Sequence, residues 1–292
     1  MLPTADGSGS ALAVRCAETL VPHADEIVDD IIAVVRQRTG IDFSQYRRAT
    51  IERRIGNRMI SIGASCMRAY LERLRADSEE APRLLERLTI KVSRFYRNAR
   101  TFDALAETTL PQLARARGGA PLRIWSAGCG RGEEAYTLAM LLDAAGLAGS
   151  VDATDIDAMA LAAARRGVYR PDAIDELPPA LMRAYLEPAG IDAYRVRDAV
   201  RARVRFLVHD LTAQPIGATP YDLICCRNVL IYFDRAAQQR AFGMLRIALA
   251  TDGYLCLGEA EWPLPEIAEE FAPQACKTQI FRRIGAGART AS

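Results

Sequence analysis

The chain has 292 residues, half of them apolar, with 38 Lys and Arg against 36 Asp and Glu and a net charge of +2. That length allows one large or two modest domains with a real core, and the apolar content excludes an intrinsically disordered chain. The near-neutral balance argues neither for nor against a nucleic-acid partner.

In chain order, residues 1–22 carry a Gly/Ser patch (GSGS) and no apolar period, so a flexible start is expected. Residues 23–100 read as a helical domain. Ile27, Ile31, Ile32, Val34 and Val35 space as one apolar face, as do Ile51, Ile55, Met59 and Ile62, and then Leu71, Leu74, Leu84, Leu85 and Leu88. Within this region the stretch IDFSQYRRATIERRIGNRM (41–59) sets Arg47, Arg48, Arg53, Arg54 and Arg58 against only Asp42 and Glu52. On a helix, Arg47, Arg54 and Arg58 fall on one side. Such a stripe suits an acidic partner, although a solvated face is the usual reading of a charge run. The stretch LTIKVSRFYRN (88–98) places Lys91, Arg94 and Arg97 around Phe95 and Tyr96, which reads most simply as a solvated, charged helix end. A connecting helix is expected over 101–119, with Thr101 as its N-cap and Gly118-Gly119 ending it.

After Gly119 the pattern changes. Strand-like runs at 122–127, 151–155, 204–210, 221–227 and 253–258 alternate with helical stretches near 133–145, 157–166 and 235–250. This predicts a second domain over 120–285 with a mostly parallel sheet covered by helices on both faces. A late run (278–283) adds a last strand, and residues 286–292 form a flexible tail. The alternation breaks at about 170–203, where the Pro178-Pro179 pair, a short helical run and AYRVRDAVRARV suggest a small insert.

The seven cysteines are scattered without a C-x-x-C pair, and neither His23 nor His209 lies near a cysteine pair. No metal site is expected, and an odd set of free thiols fits a reducing compartment. Without a signal-peptide pattern or a membrane-length apolar run, a cytoplasmic protein with no direct membrane insertion is expected.

The stretch PLRIWSAGCGRGEEAYTLAM (121–140) carries the first chemistry. A buried strand enters a turn with Gly128, Gly130 and Gly132, and the following helix begins with Glu133 and Glu134. A P-loop needs Gly-Lys-Ser/Thr, and Gly132 is followed by Glu133; the dinucleotide fingerprint fails where its third glycine falls on Glu133. Carboxylates at that helix start disfavour a pyrophosphate. They suit S-adenosylmethionine, which has no phosphate and carries a sulfonium and an ammonium. The alternative is that the two glutamates only complement the helix dipole. Asp155 ends the next strand, 23 residues after Gly132. There it can accept hydrogen bonds from ribose hydroxyls, or cap the next helix in competition with Asp157. A third strand ends in Arg227-Asn228, followed by VLIYFD. Polar groups at that place face a ligand crevice. The Asn/Asp-Pro-Pro-aromatic signature of nucleic-acid amino methylation is absent, and Phe233 reads as helix-start packing.

Together, DFSQYRRATIERRIGNRM, LTIKVSRFYR, WSAGCGRGEEAYTLAM, ATDID (153–157) and CRNVLIYFD resemble the CheR-type chemotaxis receptor methyltransferases, over roughly residues 25–284. The resemblance implies an α/β Rossmann-like class I methyltransferase domain with a small inserted subdomain, preceded by a small all-α domain. It implies methyl transfer from S-adenosylmethionine to glutamate carboxylates on the cytoplasmic helices of methyl-accepting chemoreceptors, with S-adenosylhomocysteine as product. Positions matching the family's cofactor contacts are Ser93, Arg97, Gly128, Glu134, Asp155, Asp210, Leu211, Arg227 and Asn228. Arg97 and Tyr232 match the residues near the reacting groups, and Arg47, Arg54 and Arg58 would meet the acidic receptor helix. A monomer is expected, with no nucleic acid bound. Lys91 stands where the family typically has Asn, Ser93 replaces Thr, Asp210 replaces Asn or similar, Gly130-Arg131 replaces a small polar pair and Glu259-Ala260 replaces His-Ser. The stretch LEPAGIDAYRVRD (186–198) is shorter than in members that grip a receptor tail peptide, so weak or absent tethering is expected. The competing readings are a methyltransferase of another substrate class such as RNA, a nicotinamide-dependent oxidoreductase, and a non-catalytic S-adenosylmethionine sensor.

Overall fold

The computed structural model describes residues 24–89, 93–213, 216, 219–274 and 278–284. The expected flexible segments at the chain ends and the Lys91 departure lie outside those residues.

Four helices make the first domain: α1 (Ala24–Thr39), α2 (Arg48–Ile62), α3 (Met67–Ala76) and α4 (Glu80–Leu88). Their apolar faces meet in one core, where Ile31, Val35, Phe43, Ile55, Leu74 and Leu84 are fully buried. The helical period of the sequence is therefore the period of burial.

The chain then runs through α5 (Ala99–Ala104), a widened π-type turn (Leu105–Thr109) and α6 (Leu110–Ala116) as one connecting helix. The widening falls just ahead of Pro111, which has no N–H to contribute to the helix. The expected N-cap is corrected. Asn98 occupies that position with φ 66°, while Thr101 sits inside the helix, buried, its N–H donating to the Asn98 carbonyl at 2.8 Å. The stretch before it is not a solvated helix end either. Phe95 and Tyr96 are buried in the core of the second domain, Phe95 edge-on to Tyr169 with ring centroids 4.8 Å apart. These anchors bring the chain into the second domain a few residues ahead of position 100.

The second domain follows as β1 (Leu122–Ala127), α7 (Glu133–Ala144), β2 (Gly149–Asp155), α8 (Ala158–Arg166), β3 (Val168–Tyr169), α9 (Pro171–Ile174), α10 (Pro179–Tyr185), β4 (Leu186–Pro188), β5 (Tyr194–Val196), α11 (Asp198–Arg201), β6 (Val204–Val208), β7 (Tyr221–Cys226), α12 (Arg235–Ala248), β8 (Leu249–Leu257), β9 (Phe271–Pro273) and β10 (Ile280–Arg283). Seven strands form the main sheet in the order β6-β2-β1-β7-β8-β10-β9. The first five are mutually parallel, and β10 runs antiparallel to both β8 and β9. Every residue of β7 is buried, as expected of a central strand covered on both faces. The insert is a separate antiparallel sheet, β3-β5-β4, carrying α9 and α10 beside it. Among the described residues no helix is long and apolar enough to cross a membrane.

The two domains are joined by backbone as well as side chains. Tyr46 pairs with Phe233 in an isolated antiparallel bridge. Arg47 N–H donates to the Tyr232 carbonyl at 2.8 Å, and Asp234 N–H to the Gln45 carbonyl at 3.0 Å. This seam sets the helical domain over the carboxyl ends of the parallel strands, where open α/β sheets bind ligands.

Candidate functional site

The crevice there is built from four strand ends and the seam. After β1 come Gly128, Cys129 and Gly130; at the end of β2, Asp155 and then Ile156; after β6, His209, Asp210 and Leu211; after β7, Arg227, Asn228, Val229, Tyr232 and Phe233. Ser93 and Arg97 enter from the junction, and Tyr46, Leu88 and Thr89 close it from the helical domain.

The glycine turn is shaped by close approach. Gly128 has φ 76°, and a Cβ there would stand 2.4 Å from a methyl of Val229. Gly132, at φ 94°, would put a Cβ 3.0 Å from both Ala164 and Phe206. Neither position takes a side chain without moving the crevice wall or α8. The Gly130 N–H donates to Asp155 Oδ2 at 2.8 Å, and the Asp157 N–H donates to Asp155 Oδ1 at 2.9 Å. The helix cap falls to Asp157, which receives the N–H groups of Met159 and Ala160 at 2.8 and 3.1 Å. Asp155 thus stands at the crevice as a carboxylate held by backbone N–H groups. Asp210 is fixed similarly, its Oδ1 accepting from the Thr212 N–H and hydroxyl at 2.8 and 2.7 Å.

Glu133 and Glu134 diverge. Glu134 lies behind the crevice lining, accepting from the Ser126 hydroxyl at 2.7 Å and from Arg227 at 3.3 Å. Glu133 is turned away into the protein, and burial pushes its carboxyl above the ordinary value, with the Ser93 hydroxyl and Arg131 opposing. Arg227 is itself buried, stacked over Phe102 at 4.9 Å, and donates to the Arg97 carbonyl and Asn98 Oδ1, each at 2.8 Å. It ties the end of β7 to the segment carrying Arg97. The Cys129 thiol is also buried, and desolvation with the nearby Asp155 carboxylate holds its pKa well above the ordinary thiol range, so it is no nucleophile.

The arginine stripe is corrected. Arg47 stays exposed at the seam, its Nε 3.2 Å from the Phe233 carbonyl. Arg54 is buried, donates to the Leu88 carbonyl and lies over the Tyr232 ring at 4.9 Å. Arg58 makes two bonds, 2.8 and 2.7 Å, to Glu80, a carboxylate with 0% exposure that also accepts from the Tyr70 hydroxyl at 3.0 Å. Helical spacing aligned the three, but the seam and the domain core took two of them out of solvent. Arg54 serves the crevice indirectly, as the cation against Tyr232.

Of the residues expected at the site, Ser93, Arg97, Gly128, Asp155, Asp210, Leu211, Arg227, Asn228 and Tyr232 all line one crevice. Glu134 supports its wall through Arg227. Residues the sequence did not offer are Tyr46, Leu88 and Thr89 from the first domain, together with Ile156 and His209. The first three reach the crevice only through the seam, for which no local pattern exists; His209 could have been flagged as the polar neighbour of Asp210 at a strand end.

Residues 91–280 match the family described as CheR methyltransferase, SAM binding domain, and residues 28–89 match CheR methyltransferase, all-alpha domain. An uncharacterized 104.1 kDa protein of Rhodobacter capsulatus is 34% identical over 90% of this chain and 28% of its own length. A probable biofilm formation methyltransferase, WspC, of Pseudomonas putida is 33% identical over 79% of this chain and 55% of its own. A chemotaxis protein methyltransferase of Listeria monocytogenes is 32% identical over 83% of this chain and 92% of its own. The chain thus spans about half or less of the first two relatives and nearly all of the third.

Proposed function

The chain belongs to the CheR methyltransferase family, and from that premise we propose that it transfers a methyl group from S-adenosylmethionine to glutamate side chains on the cytoplasmic helices of chemoreceptors. The observation that carries the cofactor half is the Gly130–Asp155 bond. The loop amide that a phosphate would need is committed to a carboxylate, and a second fixed carboxylate, Asp210, stands across the crevice. That surface repels a pyrophosphate and suits an adenosine bearing a cationic sulfonium. Asp155 would hold the ribose hydroxyls. Asp210 and Leu211 would meet the base, and Ser93, Arg97 and the Arg227-Asn228 pair would meet the methionine end.

When bound, S-adenosylmethionine supplies an electrophilic methyl on a cationic sulfur, and S-adenosylhomocysteine is left after transfer. A glutamate has an ordinary pKa of about 4.3, so the nucleophile is ionised at neutral pH and no general base is needed. Attack by an anion on a cation disperses both charges, and water stabilises the separated ions more than the transition state. The protein's part is therefore to align the carboxylate and keep water out. Arg97 and Tyr232 supply alignment from two sides, with Arg54 steadying the Tyr232 ring. A tight ion pair with the nucleophile would stabilise the ground state as well, so orientation is the larger contribution. Tyr46, Leu88 and Thr89 supply the cover.

The test is transfer of labelled methyl groups from S-adenosylmethionine to receptor-containing membranes, scored as volatile methanol released by alkali. Release shows carboxyl methyl esters. Binding of S-adenosylhomocysteine without release from any receptor fragment would leave a sensor or a different acceptor.

A further inference from the structure

The turn after β7 carries Asn228 and Tyr232. Asn228 has φ 60°, a left-handed conformation that Asn adopts more readily than other non-glycine residues. What holds the turn comes from outside the crevice. Glu261, only 4% exposed, follows β8 and reaches back under the turn. Its Oε2 accepts from the Asn228 N–H at 2.8 Å and from the Gly258 N–H at 2.7 Å. Its Oε1 accepts from the Val229 N–H at 2.9 Å and from the Ile231 N–H at 3.3 Å. One carboxylate thus collects the amides of three residues of the turn and anchors them to the end of the neighbouring strand. The space is fitted to it: a Cβ on Gly258 would stand 2.6 Å from Glu261 Oε2 and 2.8 Å from the Asn228 nitrogen.

We infer that Glu261 is a positioning residue of the transfer site, its carboxylate clamping the turn 228–232 so that Asn228 faces the cofactor and Tyr232 the acceptor. The inference rests on the function proposed above for this crevice. The clamp needs a carboxylate and not merely its shape. Each oxygen serves two N–H groups, so a carboxamide serves one pair and turns its own N–H groups toward the other. Glu261→Gln should therefore be nearly as harmful as Glu261→Ala, unlike an ordinary isosteric change.

The experiment is calorimetric titration of the full chain with S-adenosylhomocysteine, well below each variant's Tm, with circular dichroism as the check of folding. The expected result is wild-type binding and a Kd raised about 10-fold or more in folded E261Q, with G258A, which displaces the carboxylate without removing it, shifted the same way. A lowered Tm with wild-type Kd would mean that Glu261 is only structural and would overturn the proposal. No binding by the wild type would instead sink the cofactor reading. Amide hydrogen exchange of the wild type tests the clamp without any variant: slow exchange at Asn228, Val229 and Ile231 is expected, and exchange as fast as in open loops overturns it.

Discussion

Two glutamates, Glu80 and Glu133, show how far a charge's neighbours decide its role. Glu80 is fully buried and doubly bonded by Arg58. Burial works to raise its pKa, but Arg58 and the Tyr70 hydroxyl outweigh that and hold it below the ordinary carboxylate value. A depressed acid contributes stability that is complete above its unfolded pKa of about 4.3 and is lost as pH falls through the folded value. Arg58→Ala strands the buried carboxylate, and a loss of about 3–5 kcal/mol is expected in urea unfolding at neutral pH. That loss should shrink in acid, where Glu80 is protonated. Glu133 has the opposite sign. Its raised pKa means that the native state holds its proton to higher pH than the unfolded chain, so it withdraws stability as pH rises above the unfolded value. Glu133→Gln should raise Tm at pH 7 and change it less at pH 4, which paired melting curves would check. Both outcomes would be missed by reading either residue as a free surface charge.

At the scale of elements, the segment 93–98 is the clearest case of a backbone built for one side chain. Tyr96 and Asn98 both have positive φ, 59° and 66°, and Arg97 lies between them. Its neighbours are tied down: the Phe95 N–H donates to the Ala173 carbonyl at 2.8 Å, the Tyr96 N–H to Thr137 Oγ1 at 3.2 Å, and Asn98 Oδ1 accepts from Arg227. Arg97→Ala is expected to lower kcat on receptor substrate at least about 10-fold with the fold intact; full turnover would remove Arg97 from the alignment of the acceptor. Sequence alone exposed the long elements because burial writes itself into spacing. The runs of β1 and β7 are buried strands, and the helical faces around Ile31, Ile55 and Leu84 are the first core. It did not expose β3, β4 and β5, which are two or three residues long, shorter than any period can register. The glycine turn and Asp155 were legible because strand, turn, helix and acid follow one another within one unit. The stripe of Arg47, Arg54 and Arg58 was misleading for the converse reason: helical spacing says which side a residue occupies, and only the packing of the domain core and the seam says whether that side is wet.

Over the whole molecule, the question is whether the helical domain is a passenger or part of the cofactor site. The seam answers through Tyr46. Its ring meets Phe43 at 4.8 Å on its own side and Phe233 edge-on at 5.2 Å on the other. Desolvation, with the carboxylates of Asp155 and Asp210 behind it, raises the phenol well above its ordinary pKa, so it stays neutral and faces the two acids of the crevice. A ligand held by Asp155 and covered by Tyr46 would be gripped by both domains at once. Binding then stabilises both, by about 2.7 kcal/mol at 100 times the Kd. Hydrogen exchange with and without S-adenosylhomocysteine should show slowing in α1, α2 and α4 as well as in β1 and β2. Tyr46→Ala should weaken binding and leave ligand-induced slowing in the sheet while abolishing it in the helices. Tyr46→Phe keeps the ring contacts and should keep the coupling. If the helices of the wild type gain no protection while the sheet does, the first domain is no part of the cofactor's enclosure.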